Sequence, residues 1–176
     1  MSIPMSVTSD RLRQVYTISG HCSATDILTG GMSRGFWEPV LIWNASQFQE
    51  ENGLFFLAAN KYRQAPTKAK MDYIYRHFVG HGKTLADRAI NLPSAARERT
   101  FELVTGAQTK HFHGGCRRDA FDEAMSGLKG YLMSDINQRF GQALKSPEGT
   151  TYKMLAGQHI KLNKELGEMA RLGLDL

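Results

Sequence analysis

His111, His113 and Cys116 carry donor atoms suited to a metal site, and His21 with Cys22 can complete a set. Their spacing argues against it. Structural zinc pairs run Cys-x2–4-Cys or His-x3–5-His, whereas "HFHGGC" reads His-x-His-x2-Cys. Histidines in a glycine-flanked loop are the simpler reading. Cys116 as a nucleophile, between "HGG" and Arg117-Arg118, lacks a neighbouring general base or oxyanion site. No metal, no cofactor and no enzyme activity of the chain itself is therefore expected.

Short polar groups suggest a different use. Glu50, Glu51 and Asn52 stand directly before an aromatic run in "QFQEENGLFFLAANKYR", Asn91 and Ser94 flank a Leu-Pro pair, and Asp135 precedes Arg139 by four positions. Taken singly, each has an ordinary structural role. Carboxylates in a first helical turn are stabilised by the helix dipole. Asn91 and Ser94 fit a turn and an N-cap, and Asp135 with Arg139 fits a surface ion pair on one helix face. Phe48 and Asn52 are not explained by a helix start.

The elements that must hold these groups are helical. In "TKAKMDYIYRHFVG" the apolar positions Met71, Ile74, Tyr75 and Phe78 recur at helical spacing, with Thr67 as a cap and Gly80 as a stop. "RDAFDEAMSGLKGYLMSD" repeats the pattern through Phe121, Ala124, Met125, Leu128 and Leu132. A further helix runs from Ser94 across Phe101 and Val104 to Gly106. Beyond Pro147, Leu155, Leu162, Leu166 and Met169 form one stripe of a C-terminal helix. "PVLIWN" has the apolar run of a buried strand, yet nothing elsewhere alternates well enough to pair with it. The fold class is therefore all-α.

The chain has 176 residues, 41% hydrophobic and 22% charged, enough to bury a core without staples. No apolar run approaches the roughly 18 residues of a membrane span, and the N-terminus lacks a secretory pattern. Two cysteines fit a reducing compartment. A net charge of +5 favours acidic partners, but it is too diffuse to argue for nucleic acid.

The polar punctuation, taken in order, resembles one family. Phe48-Gln49-Glu50-Glu51-Asn52, then Asn91-Leu92-Pro93-Ser94, then Phe121-Asp122-Glu123-Ala124 with Asp135 and Arg139-Phe140 look like successive signatures of the regulator of G-protein signalling (RGS) domain. The resemblance spans roughly Ala24 to Leu144. It implies a bundle of about nine helices plus an additional C-terminal helix. Residues 1–23 would form an N-terminal extension, 24–145 the RGS-like domain and 146–176 a C-terminal helical extension.

By that resemblance the chain is a GTPase activator of a heterotrimeric G-protein α subunit in its GTP-bound form, not an enzyme by itself. Asn91 would reach the catalytic Gln of the partner, while Glu51, Asn52 and Ser94 brace its switch backbone. Asp135 and Arg139 would support each other and accept a switch-loop N–H group, and Phe48 and Tyr131 would pack against the partner. The alternative within the family is a scaffold or effector that binds a protein or peptide without activating it. Residues Lys61, Arg63, Lys68, Lys70 and Arg76 allow docking of a cytoplasmic chain on an acidic membrane surface, although a solvated face explains them as well.

Departures from the family are local. Gly53 stands where a bulky apolar residue is usual and Phe56 where Trp is usual, both expected to weaken core packing. Pro93 replaces an acidic residue beside Asn91 and is expected to fix the backbone there. Tyr131 takes a Leu position, and the connection containing "TGAQTKHFHGGCRRD" is longer than usual. Pro39 is expected to lie in a first turn or to bend its helix.

Overall fold

The computed structural model describes residues 41, 44, 50–80, 86, 89–106, 116–134 and 164–175, the side chains of Leu132 and Met133 excepted. All the regular structure among them is helical, with no strand. The helices are α1 (Glu50–Gln64), α2 (Lys68–Ile74) with a π-helical continuation (Tyr75–Val79), α3 (Ser94–Gly106), α4 (Asp122–Ser134) and α5 (residues 164–170). Leu41 and Asn44, from the segment whose apolar run suggested a strand, are helical and buried.

Helix α1 is the centre of the fold. Every residue from Gly53 to Asn60 is buried, which marks a helix enclosed on all sides rather than an amphipathic one. Its charges sit at the ends, Glu50 and Glu51 in the first turn and Lys61 and Arg63 in the last, each complementing the helix dipole. Phe55 makes edge contacts with Phe56, Phe78 and Phe121 at centroid distances of 6.0, 6.1 and 6.2 Å. One ring thereby joins α1, the π-helical segment and the entry to α4. Burial of each such ring is worth about 1.5–3 kcal/mol.

Gly53 corrects an expectation. It does not leave a gap in the core: a Cβ there would stand 2.6 Å from Asn44 Oδ1 and 2.8 Å from Leu41 Cδ2. The preceding helical residues pack directly on the bare backbone of α1, so the missing side chain is what permits the contact. Phe56 is likewise fully enclosed.

Helix α2 begins as its sequence suggests. Thr67 is extended, with φ −138° and ψ 156°, and its Oγ1 accepts from the Lys70 N–H at 3.3 Å. Met71, Ile74 and Phe78 are buried. The expected α-helix changes character in its last turn, where Gly80 N–H donates to Tyr75 O at 2.8 Å, an i to i+5 closure. Gly80 ends the helix with φ 59°, a conformation costly for other residues.

In α3, Ala96, Thr100 and Val104 form the buried stripe, and Thr100 Oγ1 donates back to Ala96 O at 2.8 Å. Phe101, expected on that stripe, is half-buried and lies against Tyr75 at 6.4 Å. In α4 the buried positions are Ala124, Met125 and Leu128, with Phe121 just before the helix. The approach to α4 is pinned twice. Tyr62 Oη donates to Arg117 O at 2.8 Å, and Arg117 grips Asp119 with two hydrogen bonds of 2.9 and 2.6 Å.

Leu166, Met169 and Leu174 of the C-terminal segment are buried in the same core as α1. Leu155 and Leu162, expected on that stripe, lie outside the described residues, as do Pro39 and the boundaries drawn at 23–24 and 145–146.

Three substitutions test this packing. Gly53→Val is expected to lower unfolding free energy by about 1–3 kcal/mol through overpacking, whereas Gly130→Ala, at an exposed helical position with nothing within 4 Å of the added methyl, should raise it by about 0.5–1 kcal/mol. Urea unfolding with unchanged m-values measures both. Met169→Ala should cost about 2–5 kcal/mol and shift one cooperative transition as a whole. A separate early transition in that variant would show that the C-terminal segment is not part of the core.

Candidate functional site

The segment between the π-helical turn and α3 carries Asn91, and Ser94 is the first residue of α3. Ile90 is anchored first, its N–H donating to Phe78 O at 2.9 Å. Leu92 N–H then returns to Ile90 O at 2.9 Å. An i to i+2 closure of this kind is a γ-turn with Asn91 as its central residue. Leu92 is buried on one side of it, while Asn91, Pro93 and Ser94 are exposed. The Asn91 side chain has no hydrogen-bond partner among the described residues.

Pro93 is fitted rather than disruptive. It has no N–H, and directly before a helix its ring meets no demand for one. Its carbonyl accepts from Arg97 N–H at 3.0 Å, opening α3 with Ser94 as the first helical residue. On the other side lies α4. A Cβ on Gly127 would stand 3.4 Å from Pro93 Cδ, 3.6 Å from Leu92 Cδ2 and 3.7 Å from Ala96 Cβ. The turn therefore packs close beside α4 at Gly127, with space for no more than a small side chain between them.

Tyr131 follows Gly127 by four residues and so lies on the same face of α4. It is 63% exposed, the large hydrophobic side chain that stands out of the core among the described residues. The structure thus brings the Asn91–Ser94 turn and the Tyr131 face to one region. Glu51 and Asn52 belong to another element, the opening turn of α1, and connect to that region through the core. Both are half-buried. Asn52 Oδ1 is covered and finds no hydrogen-bond partner among the described residues, so the group that Asn52 offers outward is not this oxygen. Phe48, Asp135 and Arg139 lie outside the described residues, as do His21, Cys22, His111 and His113.

The shifted titratable groups among the described residues are explained by burial and by local ion pairs. Burial pushes the Tyr62 phenol far above its ordinary range, with Cys116 and Asp119 adding to the shift. That keeps the hydroxyl protonated as a donor to Arg117 O. Burial also pushes up the Tyr75 phenol, opposed by the nearby Arg97 and reinforced by Glu98. Asp119 is held below the usual carboxylate range first by its hydrogen bond from Arg117. Asp122 is pushed up by burial, although Arg63 at 3.4 Å opposes this. Among the described residues no group of three or more His, Cys, Asp or Glu side chains is placed to hold a metal ion.

Of the basic residues, Lys68 and Arg76 are exposed. Lys70 Nζ donates to Ala65 O at 3.0 Å and Arg63 pairs with Asp122, so two of the charges are engaged locally. No helix among the described residues is long and apolar enough to cross a membrane.

Sequence reasoning overlooked Arg97. A half-buried Arg on a helix reads as a solvated charge, yet its guanidinium donates to Val79 O and, through Nη2 at 2.8 Å, to Ile90 O. The signal available was its position six residues after Asn91, on the helix that the turn opens.

No protein-family model matches the chain, and no characterised protein matches its sequence.

The Tyr62 hydrogen bond at the approach to α4 makes a separable prediction. Tyr62→Phe removes the donor to Arg117 O and should cost about 0.5–1.5 kcal/mol, or somewhat more if the carbonyl stays dry. Because the phenol is protonated throughout the ordinary range, the loss should be the same at pH 6 and pH 9 when measured by urea unfolding.

Proposed function

We propose that the chain is an RGS-like GTPase activator whose helical bundle binds the GTP-bound α subunit of a heterotrimeric G protein and stabilises its switch segments in the transition state for hydrolysis. The observation that carries this reading is the γ-turn at Asn91: an exposed side-chain amide at the apex of a turn whose preceding residue, Ile90, has both backbone groups engaged, its N–H by Phe78 O and its carbonyl by Leu92 N–H and Arg97. Such a side chain rises from a braced peptide and faces solvent, where it can bond a partner. Ser94, at the start of α3, and Tyr131, on the α4 face beside the turn, extend the same surface. Glu51 and Asn52, with Phe48, Asp135 and Arg139, complete it by sequence resemblance. The full bundle of about nine helices belongs to this proposal as well.

The chemistry asked of the surface is modest. A G-protein α subunit supplies its own Arg and Gln around the transferring phosphoryl group, and the rate depends on how well these are held. A helper need only bind the transition-state arrangement more tightly than the ground state. Short polar tips on rigid supports suit this, because they meet flexible loops in one geometry.

Affinity for an α subunit loaded with GDP and aluminium fluoride should exceed that for GDP alone by at least about tenfold, or roughly 1.4 kcal/mol. Equal affinities across a panel of α subunits would leave a scaffold or effector instead. Asn91→Ala should reduce acceleration of single-turnover GTP hydrolysis by about tenfold or more, with a melting temperature close to that of the wild type. A collapse of both together would make Asn91 structural.

A further inference from the structure

Arg97 lies in the second turn of α3 and is not among the residues assigned to the partner surface. Its guanidinium bridges two carbonyls that are distant in sequence. Val79 is the last residue of the π-helical segment, where carbonyls lack intrahelical partners. Ile90 is the residue immediately before Asn91. By donating to both, Arg97 ties the end of one helix to the peptide that leads into the γ-turn.

Ile90 is consequently held at both ends of its backbone. Its N–H goes to Phe78 O, and its carbonyl receives Leu92 N–H and Arg97 Nη2 together. The oxygen that closes the turn is also the oxygen that Arg97 grips. A planar fork with donors set apart can span two acceptors in this way, whereas a lysine ammonium is a single point of charge. Leu92 is buried behind the turn, with Pro93 against Gly127, so the remaining freedom of Asn91 is set by where the Ile90 peptide plane lies.

Resting on the reading of Asn91 as the group that meets the partner, we propose that Arg97 is the positioning residue for Asn91, fixing the direction in which the amide is offered without touching the partner itself.

The test uses the full chain with Arg97→Lys, Arg97→Gln and Asn91→Ala, and the double variant Arg97→Lys/Asn91→Ala. Amide hydrogen exchange and 15N relaxation are read at Ile90, Asn91 and Leu92, with Phe55 in α1 as the core reference. In parallel, the affinity ratio is measured between α subunit bound to GDP with aluminium fluoride and α subunit bound to GDP. Loss of the fork should speed exchange at Ile90 by about tenfold or more relative to Phe55 and lower the order of the Asn91 amide. The affinity ratio should fall by about tenfold, to near the level of Asn91→Ala, and the double variant should lose less than about twofold more.

If Arg97 only stabilises the fold, exchange at Phe55 and Ile90 will rise together while the affinity ratio stays at its wild-type value, and the proposal is overturned. Losses from Arg97→Lys and Asn91→Ala that multiply in the double variant overturn it too. Should Arg97→Gln fail to fold, Arg97→Lys alone decides. A wild-type chain with equal affinity for both nucleotide states removes the premise, and so the functional claim. The exchange data need no partner and still report whether Arg97 holds the turn, so the two failures are distinguishable.

Discussion

The enclosure of α1 is the constraint on which the other elements depend. A helix with consecutive buried residues from Gly53 to Asn60 has no solvent face on which to place polar groups. Its polar residues therefore stand at the ends or turn back on the helix, as Asn60 does by donating Nδ2 to Phe56 O at 3.0 Å. The enclosure also requires neighbours on every side, and these are supplied by residues as far apart in sequence as Leu41, Phe78, Phe121 and Met169. Glu51 and Asn52 inherit their fixed position from this arrangement, since the turn that carries them continues directly into the packed core.

The second organising requirement is the hydrogen-bond balance at the end of the π-helical segment. Closure from Gly80 N–H to Tyr75 O leaves the later carbonyls of the helix without internal donors. Phe78 O is satisfied by Ile90 N–H, and Val79 O by Arg97. The groups that complete the helix end are thus the ones that fold the next segment back and shape the Asn91 turn. Helix termination and presentation of the candidate contact residue are one event.

Helix boundaries were legible where their causes are local. Thr67 caps α2 and Gly80 ends the helix after it, because capping and glycine stops act over a few residues; Ser94, read as an N-cap, is instead the first helical residue of α3, behind Pro93 whose carbonyl accepts from Arg97 N–H. The apolar stripe of α4 was legible for the same reason. The π-helical turn was not, since its closure depends on a tertiary supply of donors to the carbonyls it frees. Gly53 was misread because a missing side chain looks like a defect until the chain that packs on it is known. In the site, Asn91, Ser94 and Tyr131 are exposed, whereas the role of Arg97 was hidden: nothing in its sequence neighbourhood shows which carbonyls it reaches. Phe48, Asp135 and Arg139 lie outside the described residues, and their roles stay with the sequence resemblance.

Helix α4 shows how one element can meet separate demands through its period. Phe121, Met125 and Leu128 follow spacings of four and three and turn inward to α1. Gly127 belongs to a neighbouring face and lets Leu92 and Pro93 approach the backbone, which a large side chain would prevent. Tyr131, four residues beyond Gly127, continues that face past the edge of the turn and emerges into solvent. A ring with a polar tip tolerates such exposure better than an aliphatic side chain, because the hydroxyl remains hydrated while the ring stays available for contact. Tyr131 thus presents an apolar ring and a hydrogen-bonding group together at this point of the α4 face.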